Sequence, residues 1–509
     1  MNNEALLEQI SAMEQNILGF PELEAIREEL SALKLRIQEP MRLAIVGMIK
    51  AGKSTMMNAL LQDTVVNTGT TETTFNVNWF KFGESAKLLV HYKDQVRVPE
   101  ERTMAELAKL TCRNEADREF LMSIRHIEVI YPNALLKMVE VIDTPGIASQ
   151  YKDDADNTLQ LLGLTEKDLE ERTAKEASKA DAIIYLFSKS LSETDAALVE
   201  CFAGPVRGKS NPINAMGVLN KVDQYYFSGM NDPLAKGHEI AERLMKQPAV
   251  RSVFYDIVPV CGQLAWGSRT MSDVEWDTIN SLNNLTPDRF RRICDNAERF
   301  NKEYPDAPPS SERRKVLDRI GLYGVHLAYE LGNAGIRERQ ALCDLLYEKS
   351  GMPKLDQIVL SHFGYRANLI KAFAGIARIQ HEYFAHKSRP LPARAIPLLE
   401  MIYSQTNRIL DTESDLMELK ILKLFFEGEV QLREQEISML LEITGEKGKL
   451  PWQRLGMAPD TAEEELKQQA EKKINYWRRK VNDMMTVDRK AKETARLMLN
   501  AYQIERSKL

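Results

Sequence analysis

Cysteine is scarce in this chain, and what there is stands unpaired. Five residues (Cys112, Cys201, Cys261, Cys294 and Cys343) are spread over 509 positions without a Cys-x-x-Cys. This argues against a disulfide framework or a cysteine-ligated zinc site and for a reducing compartment. Basic excess is missing too: 68 Lys and Arg face 74 Asp and Glu, a formal charge of −6. A dedicated nucleic-acid binder would usually be basic, so no nucleic-acid partner is expected. No apolar run reaches the roughly 18 residues that a membrane-spanning helix needs. The first twenty residues hold no Lys or Arg, so no signal peptide is expected. The expected location is cytoplasmic, with peripheral contact at the inner face of the cell membrane left open. Hydrophobic residues at 44% and charged residues at 28% suit an ordinary globular chain long enough for two or three domains.

What is present is organised around Leu43–Leu61, LAIVGMIKAGKSTMMNALL. Four apolar residues read as a buried strand, followed by Gly47-x4-Gly52-Lys53-Ser54 and an amphipathic helix. The two glycines let backbone N–H groups curl toward a phosphate at a helix N-terminus. Lys53 reaches the β and γ phosphates, and the Ser54 hydroxyl can ligate Mg²⁺. The expected nucleotide contacts of this loop are Gly47, Lys50, Ala51, Gly52, Lys53, Ser54 and Thr55.

Two further motifs end predicted strands. Asp143-Thr-Pro-Gly146 offers a carboxylate for a Mg²⁺-bound water and an N–H for the γ-phosphate. Asn220-Lys221-Val-Asp223 offers a carboxylate that can accept from guanine N1–H and N2–H₂ together. Adenine would leave that carboxylate desolvated and unpaired. Asn220 can brace the phosphate loop, and the Lys221 stem can pack along the base. Cys261 and Gly262, after another strand, are placed where a backbone N–H could meet guanine O6; a plain turn serves as well. Asn67–Thr74 is threonine-rich, either a lead-in to a strand or a loop that closes on Mg²⁺ and the γ-phosphate. In this order the three motifs define a guanine-nucleotide site.

Around that site, residues 41 to 263 alternate strand and helix, the pattern of an α/β P-loop domain with a mostly parallel sheet and helices on both faces. Strands are expected at Leu43–Val46, Val77–Phe82, Leu88–Tyr92, His126–Ile130, Met138–Ile142, Ala182–Phe187, Ala215–Leu219 and Asp256–Val260. Helices are expected after Ser54, at Thr165–Lys179 and at Ser192–Cys201. Residues 1–40 read as an acidic helix pair broken at Gly19-Phe20-Pro21, with eight Asp/Glu against three Lys/Arg. The stretch 471–509 is basic, eleven against five, and is expected beside it. Thr461 with Glu464 reads as a capping box. The expected division is 1–40 for a helical segment joining a neck bundle, 41–362 for the GTPase domain and 363–509 for an all-α neck or stalk. One loop, Gly445–Met457, sets Trp452 and two leucines among basic residues. It either inserts at a bilayer interface or folds back as an apolar plug.

The phosphate loop running into Met57-Asn58-Ala59-Leu60-Leu61, then Gly69 with Thr73-Thr74, Asp-Thr-Pro-Gly and Asn-Lys-Val-Asp, resembles the dynamin superfamily of large GTPases, and its bacterial members most. The resemblance implies a coiled-coil-like helical stalk, GTP hydrolysed to GDP with Mg²⁺, and self-association of GTPase domains as dimers or higher oligomers. It further implies Ser54, Thr74 and Asp143 around the metal, with Lys50, Lys53, Thr74 and Gly146 at the reacting phosphate. Membrane attachment or remodelling is the implied output; the alternative is a GTP-operated switch whose helices bind a protein partner. Ile147 replaces the glutamine by which Ras-like proteins orient water. Lys50 stands where dynamins carry a serine and guanylate-binding proteins an arginine. It either supplies charge between the β and γ phosphates or points into solvent.

Overall fold

Alternate residues of β1 (Met41–Gly47) serve different cores: Leu43 and Ile45 are buried in one, Ala44 and Val46 in the other. Period-two sorting of an entirely apolar strand is what a sheet covered on both faces requires. The computed structural model describes residues 3–47, 50–66, 68, 76–94, 96–111, 118–144, 180–188, 213–228, 232–364, 366–426, 428–483 and 488–509. The helices expected at 165–179 and 192–201, and with them Thr74 and Gly146, lie outside these residues.

Eight more strands complete the sheet among the described residues. They are β2 (Asn78–Phe82), β3 (Lys87–Tyr92), β4 (Glu100–Arg102), β5 (Ile124–Tyr131), β6 (Val139–Asp143), β7 (Ala182–Phe187), β8 (Ala215–Asn220) and β9 (Ile257–Val260). Their spatial order is β4-β3-β5-β2-β6-β1-β7-β8-β9. From β6 to β9 all neighbours are parallel, whereas β2 runs antiparallel to β6, and β3 antiparallel to β5. The carboxyl ends of β1, β6, β7, β8 and β9 therefore share one edge. The chain turns to opposite sides of β1 to reach β6 and β7, and such a reversal is where open α/β sheets bind ligands. All eight expected strands are present. β4 was not expected, because Glu-Glu-Arg has neither alternation nor β-branched residues; as an edge strand it needs neither.

Helices cover both faces. Lys53–Leu61 and helices from the two chain ends share one core with the sheet, and Pro233–Met245, Asp273–Leu282 and Ser310–Asn333 share the other. The N-terminal helix Glu24–Gln38 joins the bundle by packing on Ala367–Lys387, where Gly375 permits close approach (a Cβ there would lie 2.4 Å from Leu33), and Asn3–Asn16 packs on Glu24–Gln38. Ile396–Thr412, Ser414–Phe426, Glu434–Ile443, Glu463–Val481 and Arg489–Lys508 complete it. Trp477 and Tyr502 are buried at its centre, and Tyr502 donates to the Met439 carbonyl at 2.9 Å. No helix among the described residues is long and apolar enough to cross a membrane.

Two expectations are corrected here, and one of two alternatives is found. Among the described residues, ion pairs of the acidic N-terminal helices run locally or to neighbouring elements (Glu14–Lys34, Glu29–Arg378 and Glu22–Arg394), and the basic C-terminal helix is not where these three acids pair. The last-but-one helix starts at Glu463 with Ala462 as N-cap, and Thr461 instead donates to the Ala458 carbonyl at 2.8 Å. The Trp452 segment folds back. Pro451–Leu455 is a short helix with Leu455 fully buried, Trp452 packed on the core, and Arg454 paired with Glu418 and Glu505.

Candidate nucleotide-binding site

Gly47 closes β1 beside Leu186 of β7, so near that a Cβ would fall 2.5 Å from the Leu186 carbonyl oxygen. The loop then takes left-handed backbone at Lys50 (φ 61°) and Gly52 (φ 89°), and Gly52 caps the helix that starts at Lys53. At Gly52 a Cβ would stand 2.6 Å from Asn220 Nδ2, so only glycine fits. Lys53 is buried and folds back along the loop, its Nζ 3.3 Å from the Gly47 carbonyl oxygen. Ser54 and Thr55 lie partly exposed in the first helical turn, where N–H groups have no intrahelical acceptor and an anion is favoured.

Asp143 ends β6, in register with Ile45 of β1 and Asn78 of β2. It has no exposed surface, and neither carboxylate oxygen has a hydrogen-bond partner among the described residues. Burial lifts its carboxyl from 3.8 to about 6, against the opposing pull of the Lys53 ammonium. An orphaned buried carboxylate beside a phosphate loop needs a cation or a water held by one. The residues present thus fit Mg²⁺, which the Ser54 hydroxyl and the Asp143 carboxylate would hold. Bound there, Mg²⁺ neutralises charge on the phosphates. Asn78 sits opposite Asp143 and, like Lys53, pulls against the rise of its carboxyl; sequence reasoning missed it, since β2 carries no motif.

At the other end, Asn220 ties three segments together. Its Nδ2 donates to the Ala51 carbonyl at 2.8 Å, and its Oδ1 accepts from Gly262 N at 3.0 Å. Lys221, itself left-handed (φ 60°), donates through Nζ to the Lys50 carbonyl at 2.7 Å. Burial holds its ammonium below the ordinary lysine value, with Asp223 opposing that shift. Asp223 is the second residue of the turn Val222–Ser228 and accepts from the Cys261 thiol at 3.3 Å; burial raises both groups. The expectation for Cys261 and Gly262 needs correction. Cys261 N donates to the Ser350 carbonyl at 2.8 Å and Gly262 N to Asn220, so neither N–H is available to a guanine O6. Cys261 meets the base end through its thiol on Asp223 instead.

A phosphate loop, a buried aspartate on the adjacent strand end and an Asn-Lys-x-Asp on a third define a P-loop GTPase domain. Residues 43–222 match the model of the Dynamin family, and the fold is an α/β GTPase domain with a helical extension. It is similar along most of its length to isoniazid-induced protein IniC of Mycobacterium tuberculosis, 26% identical over 487 residues, 94% of each chain. Dynamin-like protein 2 of Campylobacter jejuni is 23% identical over 129 residues, 25% of this chain and 20% of the relative. Among solved structures, an oligomerised bacterial dynamin pair, described as a mechanism for long-range sensing and tethering of membranes, aligns at TM-score 0.31 and 15% identity over 98% of this chain and 80% of its own. Era of Aquifex aeolicus bound to GDP and aluminium fluoride aligns at 0.23 and 19% over 43% and 50%.

Proposed function

We propose that this chain is a Mg²⁺-dependent GTPase that couples pairing of its GTPase domain with a second copy to movement of its helical bundle, and thereby attaches to or remodels a membrane. The observation that carries the nucleotide half is the clasp of Asn220 and Lys221 on the phosphate loop, with Asp143 buried and unsatisfied beside Lys53. Ser54, Asp143 and Thr74 hold the metal. Lys50 and Lys53 stabilise charge on the phosphates, Gly146 registers loss of the γ-phosphate, and Asp223 reads the base. With Ile147 unable to orient water, the second GTPase domain completes the site. The division at 1–40, 41–362 and 363–509 belongs to the same reading.

One end of the bundle supports membrane contact. The turn after Asn16, the end of Ala367–Lys387 and the loop before Ile396 meet where Arg394 pairs with Glu22 and lies over Phe20. Leu18, Phe384 and Ile396 are exposed there among Lys387, Arg389 and Arg394, which suits an anionic bilayer surface. The switch reading draws its support from Trp452, which is packed on the core.

The test is twofold. GTP should outcompete ATP, and Asp223→Asn should erode that preference while Lys53→Ala abolishes binding. Vesicles with anionic lipid should pellet the chain in a manner that depends on a GTP analogue. Equal affinity for both purines would defeat the nucleotide half, and pelleting indifferent to lipid would leave the protein-partner switch.

A further inference from the structure

On the antiparallel pair β3–β5, far from the phosphate loop along the strand order, His91 stands directly across from His126. Two residues on, and therefore on the same face, comes Glu128. The imidazole rings are stacked, with centroids 4.4 Å apart and planes 11° from parallel. His91 Nε2 lies 3.6 Å from Glu128 Oε2, and His126 Nε2 lies 3.8 Å from Glu128 Oε1. One donor atom from each residue falls within 4.8 Å of the others. His126 is buried, and His91 Nε2 and His126 Nδ1 have no hydrogen-bond partner among the described residues.

We propose that His91, His126 and Glu128 form a zinc-binding site on this face of the sheet. Two ligands about 2.0–2.2 Å from one tetrahedral ion stand roughly 3.3–3.5 Å apart. The nitrogen–oxygen separations here, one to each oxygen of Glu128, are a few tenths of an ångström wider. With all three donors within 4.8 Å, one imidazole turning out of the stack would let them close around an ion. Two imidazoles with one carboxylate suit zinc rather than Mg²⁺ or Ca²⁺, which prefer oxygen throughout. The protein supplies three ligands, and water completes the fourth position. Lys81 donates to Glu128 Oε1 at 2.6 Å, which fixes the carboxylate and leaves Oε2 toward His91. That is the outer partner a ligating carboxylate usually has. Bound zinc would tie β3 to β5 beside Trp79, whose ring centroid lies 5.1 Å from that of His126. The site is independent of the nucleotide reading.

Calorimetric titration of ZnCl₂ into the untagged, chelator-stripped chain, with magnesium in excess so that the nucleotide centre does not compete, tests this. One ion per chain is expected, a rise in melting temperature, and the visible absorption of tetrahedral cobalt when Co²⁺ replaces zinc. His91→Ala, His126→Ala and Glu128→Gln should each weaken affinity by roughly tenfold or more. Lys81→Ala, which removes the partner that fixes the Glu128 carboxylate but spares all three ligands, should weaken zinc affinity less than any ligand variant. Stoichiometric binding that survives the double histidine variant, or no zinc uptake by the wild-type chain, would overturn the proposal. Should a histidine variant fail to fold, Glu128→Gln and Lys81→Ala still decide it, for an ion-pair cluster without metal responds to Lys81 and ignores zinc.

Discussion

The Lys221 ammonium donates to the backbone carbonyl of Lys50 at 2.7 Å. The residue after the strand end that reads the base thereby grips the phosphate loop at its left-handed turn, where a non-glycine residue is strained. This contact uses the Lys50 backbone and leaves its side chain out of the grip. Lys50→Ala should therefore keep nucleotide affinity while lowering turnover more than about tenfold, the scale of losing one positioned charge. Lys221→Ala should do the converse, loosening GTP and GDP together by about tenfold. Fluorescent-nucleotide titration and single-turnover hydrolysis separate the two. Normal turnover in Lys50→Ala would remove Lys50 from the chemistry.

Asn220 is 3% exposed and bonds to both Ala51 and Gly262. Asn220→Ala strands a buried carbonyl and a buried N–H, each worth about 1–3 kcal/mol when unsatisfied. The expected result is GTP affinity lower by roughly a hundredfold with the melting temperature also reduced. Asn220→Asp restores only the acceptor for Gly262 and should fall between. Nucleotide affinity unchanged in the alanine variant would mean that the loop holds its shape without the brace.

How far the sequence carries is clearest at these residues. Strand ends and phosphate loop were legible because their signals are local: apolar alternation, glycines at fixed offsets, a carboxylate after a buried strand. Cys261 and Gly262 misled for the opposite reason. The acceptor for Cys261 N is Ser350, far along the chain, and no local pattern announces it. β4 escaped because an edge strand of charged residues lacks alternation, and the cross-strand histidines because β4 separates β3 from β5 in the chain and their pairing register has no local signature. Charge complementarity between the chain ends was a poor guide: surface pairs contribute little, so apolar fit, as at Gly375 against Leu33, decides which helices meet.

Asp143 predicts an unusual pH dependence. Burial raises its carboxyl from 3.8 to about 6, so the folded chain keeps a proton that the unfolded chain releases at lower pH. Stability from this group is complete below the unfolded value and is lost as pH rises through about 6, a loss on the order of 3 kcal/mol by neutrality. Without nucleotide, Asp143→Asn should melt higher than wild type at pH 7.5, with the difference shrinking toward pH 4. With Mg²⁺ and GTP the order should reverse, since only the carboxylate can serve the cation. Parallel melting curves across the whole pH series would contradict the assignment.

Trp452 offers the last test, because two readings of one loop predict different losses. Its ring packs on the core and Leu455 beside it is fully buried, while the Arg454 guanidinium is paired with Glu418 and Glu505. Trp452→Ala should accordingly cost roughly 2 kcal/mol of stability, less than a fully enclosed tryptophan, and leave vesicle pelleting unchanged once the folded fraction is matched. Leu18→Asp and Phe384→Asp alter side chains 62% and 56% exposed, so they should spare the melting temperature. They should lower pelleting on anionic vesicles several-fold, since each removes buried apolar area from the bilayer contact and adds repulsion. If Trp452→Ala instead abolished pelleting at unchanged stability, the loop would have to open onto the bilayer, and the exposed end at Leu18 and Phe384 would lose its role.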